Sequence, residues 1–434
     1  MTGAGPETIL IGFAILLVLL SVGMHIGTAL FATAAFGSWW YFGGVMFNPF
    51  GTMMWSTLNN FLLVAIPLYV LMGEILVRAG ITARMYTAID DWMRHLPGGL
   101  LHTNLAASTV FASISGSSVA TAATIGTVAF PAFRDKAYAE KWVLGTVVSG
   151  ATIGILIPPS INLIIFGAMT NTSIGQLFLA GVVPGLLLAS LFMGTVIIAS
   201  VLDPTVSESA PPDALAARLR RLRDLLPPLL IFIGVMGSIY TGWATPTEAA
   251  GLGVVAATIL VALHGDFTIR LLLDSALSTV KVSAMTLLIL IAAFYLNFIV
   301  GVIGIPALLT NAMAGLTIPA WQMIMLLVVI YVALGCFMDS LAMMIATTPI
   351  VFPVVVALGY DPLWFGVFLV IMCEIALITP PVGMNIFVVQ AVRGRGSVTD
   401  VIKGVIPFIA CFFALAIAIT AFPNIVTWLP NSLE

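Results

Sequence analysis

Charge is what this chain of 434 residues has least of. Only 8% of its residues are charged, 61% are hydrophobic, and the formal net charge is −3. With a mean hydropathy of +1.17, such a chain has too much apolar surface to hide in a soluble core and belongs in a lipid bilayer. No Lys or Arg precedes Arg78 and none follows Lys403, and there is no Gly-rich phosphate loop. That excludes a nucleic-acid partner, which needs a dense basic surface. The three cysteines, Cys336, Cys373 and Cys411, lie in apolar surroundings and offer neither a disulfide framework nor zinc spacing. The four histidines, His25, His95, His102 and His264, show no ligand spacing either. The opening stretch MTGAGPETIL has no basic residue before its apolar run, so it lacks the basic region of a cleaved signal peptide, and 8–24 reads as a retained first span.

What is present is a series of apolar stretches of about 17–25 residues, the length of a membrane-crossing helix, without the alternation of a membrane β-barrel. Spans are expected near 8–24, 26–46, 58–78, 142–166, 173–201, 226–243, 247–264, 282–304, 363–390 and 405–428. The polar, Arg-rich stretch 203–224 reads as a cytoplasmic linker between halves 1–202 and 225–434. Two stretches, 99–133 and 320–354, are too long for one crossing and polar or small at the centre, so each reads as a hairpin that enters and leaves on one side. With the N-terminus outside and both hairpins re-entrant, every basic cluster falls on the cytoplasmic side, where Lys and Arg concentrate. The segments 81–96 and 266–281 read as amphipathic arm helices along that interface, the second with a polar stripe of Asp266, Arg270, Asp274 and Ser278. Asp90 and Asp91, adjacent on the first arm, point apart and are expected in solvent. Trp39, Trp40, Tyr41, Trp55, Trp92, Trp142, Trp364 and Trp428 sit near span ends, as interfacial anchors do.

The chain repeats itself. Pro353 follows Pro131 by 222 residues, and Pro380–Pro381 follow Pro158–Pro159 by the same 222. In that register Ser118 faces Ser340 and Ser117 faces Asp339. An odd number of crossings in the first half starts the second from the opposite side, which is an inverted-topology repeat, the architecture of many secondary transporters. Each half thus has a hairpin followed by a span interrupted by a Pro-Pro pair. The first hairpin carries SISGSSVATAATIG at its centre and the second carries Asp339, an ionisable group at membrane depth, where such groups are costly and functional. The proline pairs free main-chain carbonyls around Gly154–Ile157 and Ala376–Thr379. Unpaired backbone at that depth needs protein, water or an ion. With Ser115, Ser117 and Ser118 on one side and Asp339 and Thr379 on the other, these hard oxygens could form two related cation sites suited to Na+. Asn162 and Asn385, just after the breaks, either bind a polar solute or cap a half-helix. Glu374 is embedded before the second break, as a partner to the site, and Glu74 is expected to pair with Arg78.

The stretches SISGSSVATAATIGTVAFPAF, GATIGILIPPSINLIIFGAMTNTSIGQLFLAGVVPGLLL, GWATPTEAAGLGV, GCFMDSLAMMIATTPIVFP and EIALITPPVGMNIFVV resemble the large, DctM-type membrane subunit of a tripartite ATP-independent periplasmic (TRAP) transporter, in order over nearly the whole chain. The resemblance implies an all-α polytopic membrane protein of about ten full spans plus two re-entrant hairpins, working as an elevator of the ion-transporter superfamily. It implies a multi-pass protein of the bacterial inner membrane, with both termini periplasmic, importing a small organic acid anion such as a C4-dicarboxylate or sialic acid with Na+. The expected partners are a periplasmic substrate-binding protein and a small four-helix membrane subunit. Because the chain begins directly at the large subunit, the small one is expected on a separate polypeptide. Carried onto this sequence, the family's first Na+ site falls at Ser115, Ser117, Gly154, Ile157 and Pro159. Its second falls at Gly335, Asp339, Ala376, Thr379 and Val382, with Ala376 where the family often has Gly. The solute is expected near Ser117, Ser118, Asn162, Asp339 and Asn385.

The nearest rival is a stand-alone sodium/dicarboxylate carrier of the same superfamily, which needs no binding protein. An intramembrane protease would need a second embedded Asp, or a Ser with a His or Lys base, and no enzyme is expected. A channel is disfavoured by pseudo-symmetry within one chain.

Overall fold

The computed structural model describes residues 6–134, 136–208, 214–265, 267–308, 319–336, 338–381 and 383–433. Among them every regular element is helical. In chain order the helices are α1 (Pro6–Ser21), α2 (Ile26–Phe42), α3 (Phe50–Leu58), α4 (Ala65–Arg78), α5 (Ile81–Met93), α6 (Leu100–Ser115), α7 (Ser118–Ala132), α8 (Glu140–Leu156), α9 (Ile161–Thr170) and α10 (Ile174–Leu202). The second half continues with α11 (Leu215–Tyr240), α12 (Pro246–Leu263), α13 (Ile269–Ile303), α14 (Ala320–Gly335), α15 (Ser340–Ala357), α16 (Pro362–Ile378), α17 (Met384–Arg393), α18 (Val398–Ala421) and α19 (Asn424–Ser432). Eight helical stretches among the described residues are long and apolar enough to cross a membrane.

The two long apolar stretches are hairpins of helices, α6–α7 and α14–α15, and the two Pro-Pro spans are broken into α8–α9 and α16–α17. Both Pro-Pro bonds, Pro158–Pro159 and Pro380–Pro381, are cis. A helix that is apolar all round can sit in a protein interior or face lipid, and α8 and α16 take the interior. Accordingly, every residue of α8 from Val143 to Leu156 and of α16 from Leu363 to Ile378 is buried, so the broken helices form the centre. Helices α12 and α13 both pack on α4, α2 lies on α13, and α18 covers α8.

Several expectations need correction. The arm over 266–281 is not a separate element: residues 269–281 run unbroken into α13, a 35-residue helix, while Asp266 lies outside the described residues. Of the linker over 203–224, residues 215–224 are the first turns of α11, because Leu, Ala and Arg favour helix; residues 209–213 lie outside the described residues. Those turns lie over α5 and bury its acids. The Arg221 Nη1 is 2.5 Å from the fully buried Asp91 Oδ1, and the Arg218 guanidinium lies 4.1 Å from the Trp92 ring centre. Arg94 bridges Asp90 at 2.7 Å and Asp91 at 2.9 Å, and Thr103 of α6 donates to Asp90 at 3.2 Å. The two acids neither point apart nor face water: both accept from one Arg94 nitrogen, and Thr103 of α6 and Arg221 of α11 complete their surroundings. Trp364 is no interfacial anchor either; it is fully buried and donates Nε1–H to Ile419 O at 2.8 Å. Trp39, Trp40, Trp55 and Trp428 are exposed, as anchors should be.

Hairpin and broken helix touch most closely at equivalent places in the two halves. A Cβ on Gly154 would overlap the methyl of Ala112, and a Cβ on Gly335 would overlap the methyl of Ala376. Gly154 and Ala376 occupy the same repeat position, so the methyl sits on the hairpin in one half and on the broken helix in the other. The chain tolerates Ala376 because its neighbour is Gly335. We expect Gly335→Ala to destabilise the protein by about 1–3 kcal/mol through overpacking. Adding Ala376→Gly should restore most of the loss, because contacting sites are not additive. Tryptophan-monitored unfolding in detergent checks both, and a double variant no better than Gly335→Ala refutes the pairing.

Candidate functional site

Each hairpin tip is a helix end followed by a helix start. At the first, α6 closes on Gly116, whose left-handed φ of 62° turns the chain, and Ser117 caps α7 by accepting from Ala120 N at 3.3 Å. Thr121 Oγ1 donates to Ser117 O at 2.7 Å and lies 3.0 Å from Ser115 Oγ, so the tip's hydroxyls and carbonyl are gathered into one cluster. At the second tip Asp339 takes the capping role of Ser117, with Oδ1 accepting from Ala342 N at 2.7 Å.

Each tip rests on the break of its own half. A Cβ on Gly116 would lie 3.2 Å from Pro159 O, which puts Ser115 and Ser117 beside the first proline pair. Cys336 Sγ faces Pro380 O at 3.8 Å, and Cys373 Sγ donates to Ser340 O at 3.3 Å, which puts Gly335 and Asp339 beside the second. The prolines deprive Gly154 and Ala376 of the amide donors that a continuous helix would supply. Ala376 O accepts instead from Thr379 N, at a long 3.4 Å, and the Thr379 hydroxyl donates to Ile375 O at 2.6 Å. Ile157 and Thr379 are both extended, with ψ of 123° and 127°. Val382 lies outside the described residues.

Between the tips is a cavity of about 280 Å³. Ser115, Ser117, Ser118, Asn162 and Asp339 are on its wall. Asn385 is not; it is fully buried behind the wall and donates to Ser118 Oγ at 3.1 Å. Asn162 does not cap α9, because Ser160 does so through Leu163 N at 3.4 Å; its Nδ2 is left without a partner. The wall takes in Ser117 and Ser118 at the start of α7, Asn162 of α9, Ser340 of α15 and Met384 of α17. Four helix N-termini, with their N–H groups and partial positive charge, therefore open onto one space together with the last turns of α6, α8 and α16, at Ser115, Ile155 and Leu377, which present carbonyls.

Three features were not foreseen. The far wall is built by α4 and α13, through Val70, Glu74, Val282 and Thr286. Glu74 does pair with Arg78, at 3.1 Å, but it also faces the cavity. Ser118 of the first hairpin donates at 2.8 Å to Glu374 of the second broken helix, 256 residues away. An embedded Glu was the only signal of that bond, since no local spacing encodes a contact so remote.

Residues 13–425 match the model of the family described as "Tripartite ATP-independent periplasmic transporter, DctM component". Among curated proteins, the chain is 32% identical to the C4-dicarboxylate TRAP transporter large permease protein DctM of Rhodobacter capsulatus, over 98% of this chain and 99% of that one. It is 31% identical to the sialic acid TRAP transporter large permease protein SiaM of Vibrio cholerae, over 95% and 96%. Among solved structures it superimposes on the Alcanivorax borkumensis YdaH transporter with a TM-score of 0.64 at 12% identity, over 96% of this chain and 99% of that one, a likeness of fold. With hairpins, broken helices and family motifs coinciding over nearly its whole length, the chain belongs to the DctM component family of the tripartite ATP-independent periplasmic transporters.

Proposed function

We propose that this chain is the large permease of a Na+-coupled transporter that imports a small organic acid anion, such as a C4-dicarboxylate, sialic acid or a related carboxylate, across the bacterial inner membrane. The observation that carries the reading is the convergence on one cavity of four helix N-termini, which favour an anion, with the last turns of α6, α8 and α16, whose carbonyls favour a cation. The described cavity wall holds the carboxylates Glu74 and Asp339 and no Lys or Arg. Glu74 has Arg78; an anionic solute beside Asp339 needs cations, and Na+ supplies them. Ser115, Ser117 and the carbonyls of Gly154, Ile157 and Pro159 would hold one Na+. Gly335, Asp339, Ala376, Thr379 and Val382 would hold the other. Ser117, Ser118, Asn162 and Asp339 would meet the solute, with Asn385 acting through Ser118.

The two ions neutralise Asp339 and order both tips, so solute affinity and Na+ affinity rise together as one coupling free energy. Hairpins and broken helices then move as an elevator against the remaining helices, in two inverted repeats with both termini periplasmic. A periplasmic binding protein delivers the solute and a small four-helix subunit joins the large one. A stand-alone carrier of the same superfamily is the second reading, and dependence of uptake on the binding protein separates the two.

In vesicles holding all three components, uptake is expected to stop when Na+ is replaced by choline and to persist when ATP is removed; uptake without Na+ refutes the coupling. Asp339→Asn takes one charged ligand from the ion, worth about 1.5–3 kcal/mol. The Na+ concentration for half-maximal uptake should then rise about tenfold or more. An unchanged sodium response would remove Asp339 from the site.

A further inference from the structure

Behind the cavity wall lies a second group of oxygens that the tips do not use. Glu374 and Asn385 are both fully buried. Glu374 Oε2 accepts from Ser118 Oγ at 2.8 Å, Ala151 O lies 3.2 Å from the same hydroxyl, and Asn385 Nδ2 donates to it at 3.1 Å. A hydroxyl has one proton to give. The carboxylate and the carbonyl compete for it, while Glu374 Oε1 and Asn385 Oδ1 have no hydrogen-bond partner among the described residues. The group therefore has an excess of acceptors, and two of them are orphans on side chains that converge on one atom.

The charge is as poorly served as the hydrogen bonds. Among the described residues Glu374 forms no ion pair, and a buried carboxylate is costly unless a positive charge or several donors accompany it. Repeat packing does not require the acid either. The register that sets Ser118 against Ser340 sets Thr152 against Glu374, and Thr152 satisfies its own hydroxyl through Ser149 O at 2.6 Å. The second half thus carries a carboxylate where the first makes do with a small neutral residue.

We infer that Glu374, Asn385 Oδ1, Ser118 Oγ and Ala151 O form a site for a monovalent cation, Na+, separate from the two at the proline breaks. Hard oxygens suit Na+, and one carboxylate balances one monovalent charge, whereas a divalent ion would leave net charge in an apolar interior. The site joins the first hairpin to the second broken helix, so filling it ties the two halves together around the solute. The inference rests on the proposed function only for the identity of the ion.

The test needs no solute. Radioactive Na+ bound at saturation is counted on the purified full chain in detergent, with folding checked by thermal unfolding. Glu374→Gln is expected to bind one Na+ fewer than the wild type, whereas Asp339→Asn, which keeps the other ligands of its site, should keep the count and need about tenfold more Na+ for half-saturation. Glu374→Asp, which keeps the charge, should keep the count and need several-fold more Na+ for half-saturation. Crystals soaked in Tl+ should show an anomalous peak beside Glu374, a readout that stands even if Glu374→Gln fails to fold. An unchanged count in folded Glu374→Gln, as when the carboxyl simply carries a proton, overturns this site alone, as does a Tl+ map with peaks only at the breaks. A wild type that binds no Na+ overturns the proposed coupling as well.

Discussion

The rest of the structure depends on one constraint: in a bilayer, main-chain groups that a helix leaves unpaired have no water to turn to. A chain that breaks two central helices must bring partners to the broken ends. Here the partners are the hairpin tips, which are themselves helix ends. Ser117 and Asp339 cap the second helix of each hairpin, Ser160 caps the helix after the first break, and these capped ends face one cavity. Helix termini that would be a liability in lipid here line the cavity between the tips. The ends turned toward the cavity are of both kinds: the starts of α7, α9, α15 and α17 attract negative charge, and the last turns of α6, α8 and α16, at Ser115, Ile155 and Leu377, attract positive charge.

Close approach enforces this arrangement. A tip can serve a break only if the hairpin lies against the broken helix, and that requires a missing methyl at the contact. The first half removes it from the broken helix, at Gly154, and the second from the hairpin, at Gly335. The space is what the fold preserves. Viewed along the sequence, Ala376 is a departure from glycine; viewed in the contact it is the same solution with the partners exchanged.

This explains what was legible in the sequence. Hairpins and breaks are local patterns, long apolar runs with polar centres and paired prolines in a shared register, and they emerged as expected. Even the crowding of serines at 113–118 pointed to a tip. What stayed hidden depends on distant partners. Asp91 looked solvent-facing because its own helix is amphipathic, and only Arg221, 130 residues on, turns it inward. Trp364 looked like an anchor from its position at a span end, but α16 is buried from its first turn. The arm at 269–281 has the stripe of an interfacial helix, yet nothing in it ends the helix before α13 enters the apolar region. Local amphipathicity reports a polar environment without saying whether water or a neighbouring chain segment provides it.

The embedded acids show how such partners divide the work. Glu74 has an arginine one turn away and Asp91 has two, so both are settled within the protein. Asp339 caps a helix through one oxygen, and Glu374 receives one hydroxyl. None of the described ion pairs reaches either of these two, and both lie where the halves meet. A protein that needed the acids only for rigidity would have provided cations for them, as it did for Asp91 with Arg94 and Arg221. Leaving them unmatched concentrates uncompensated acceptors in the central region, where the two halves meet.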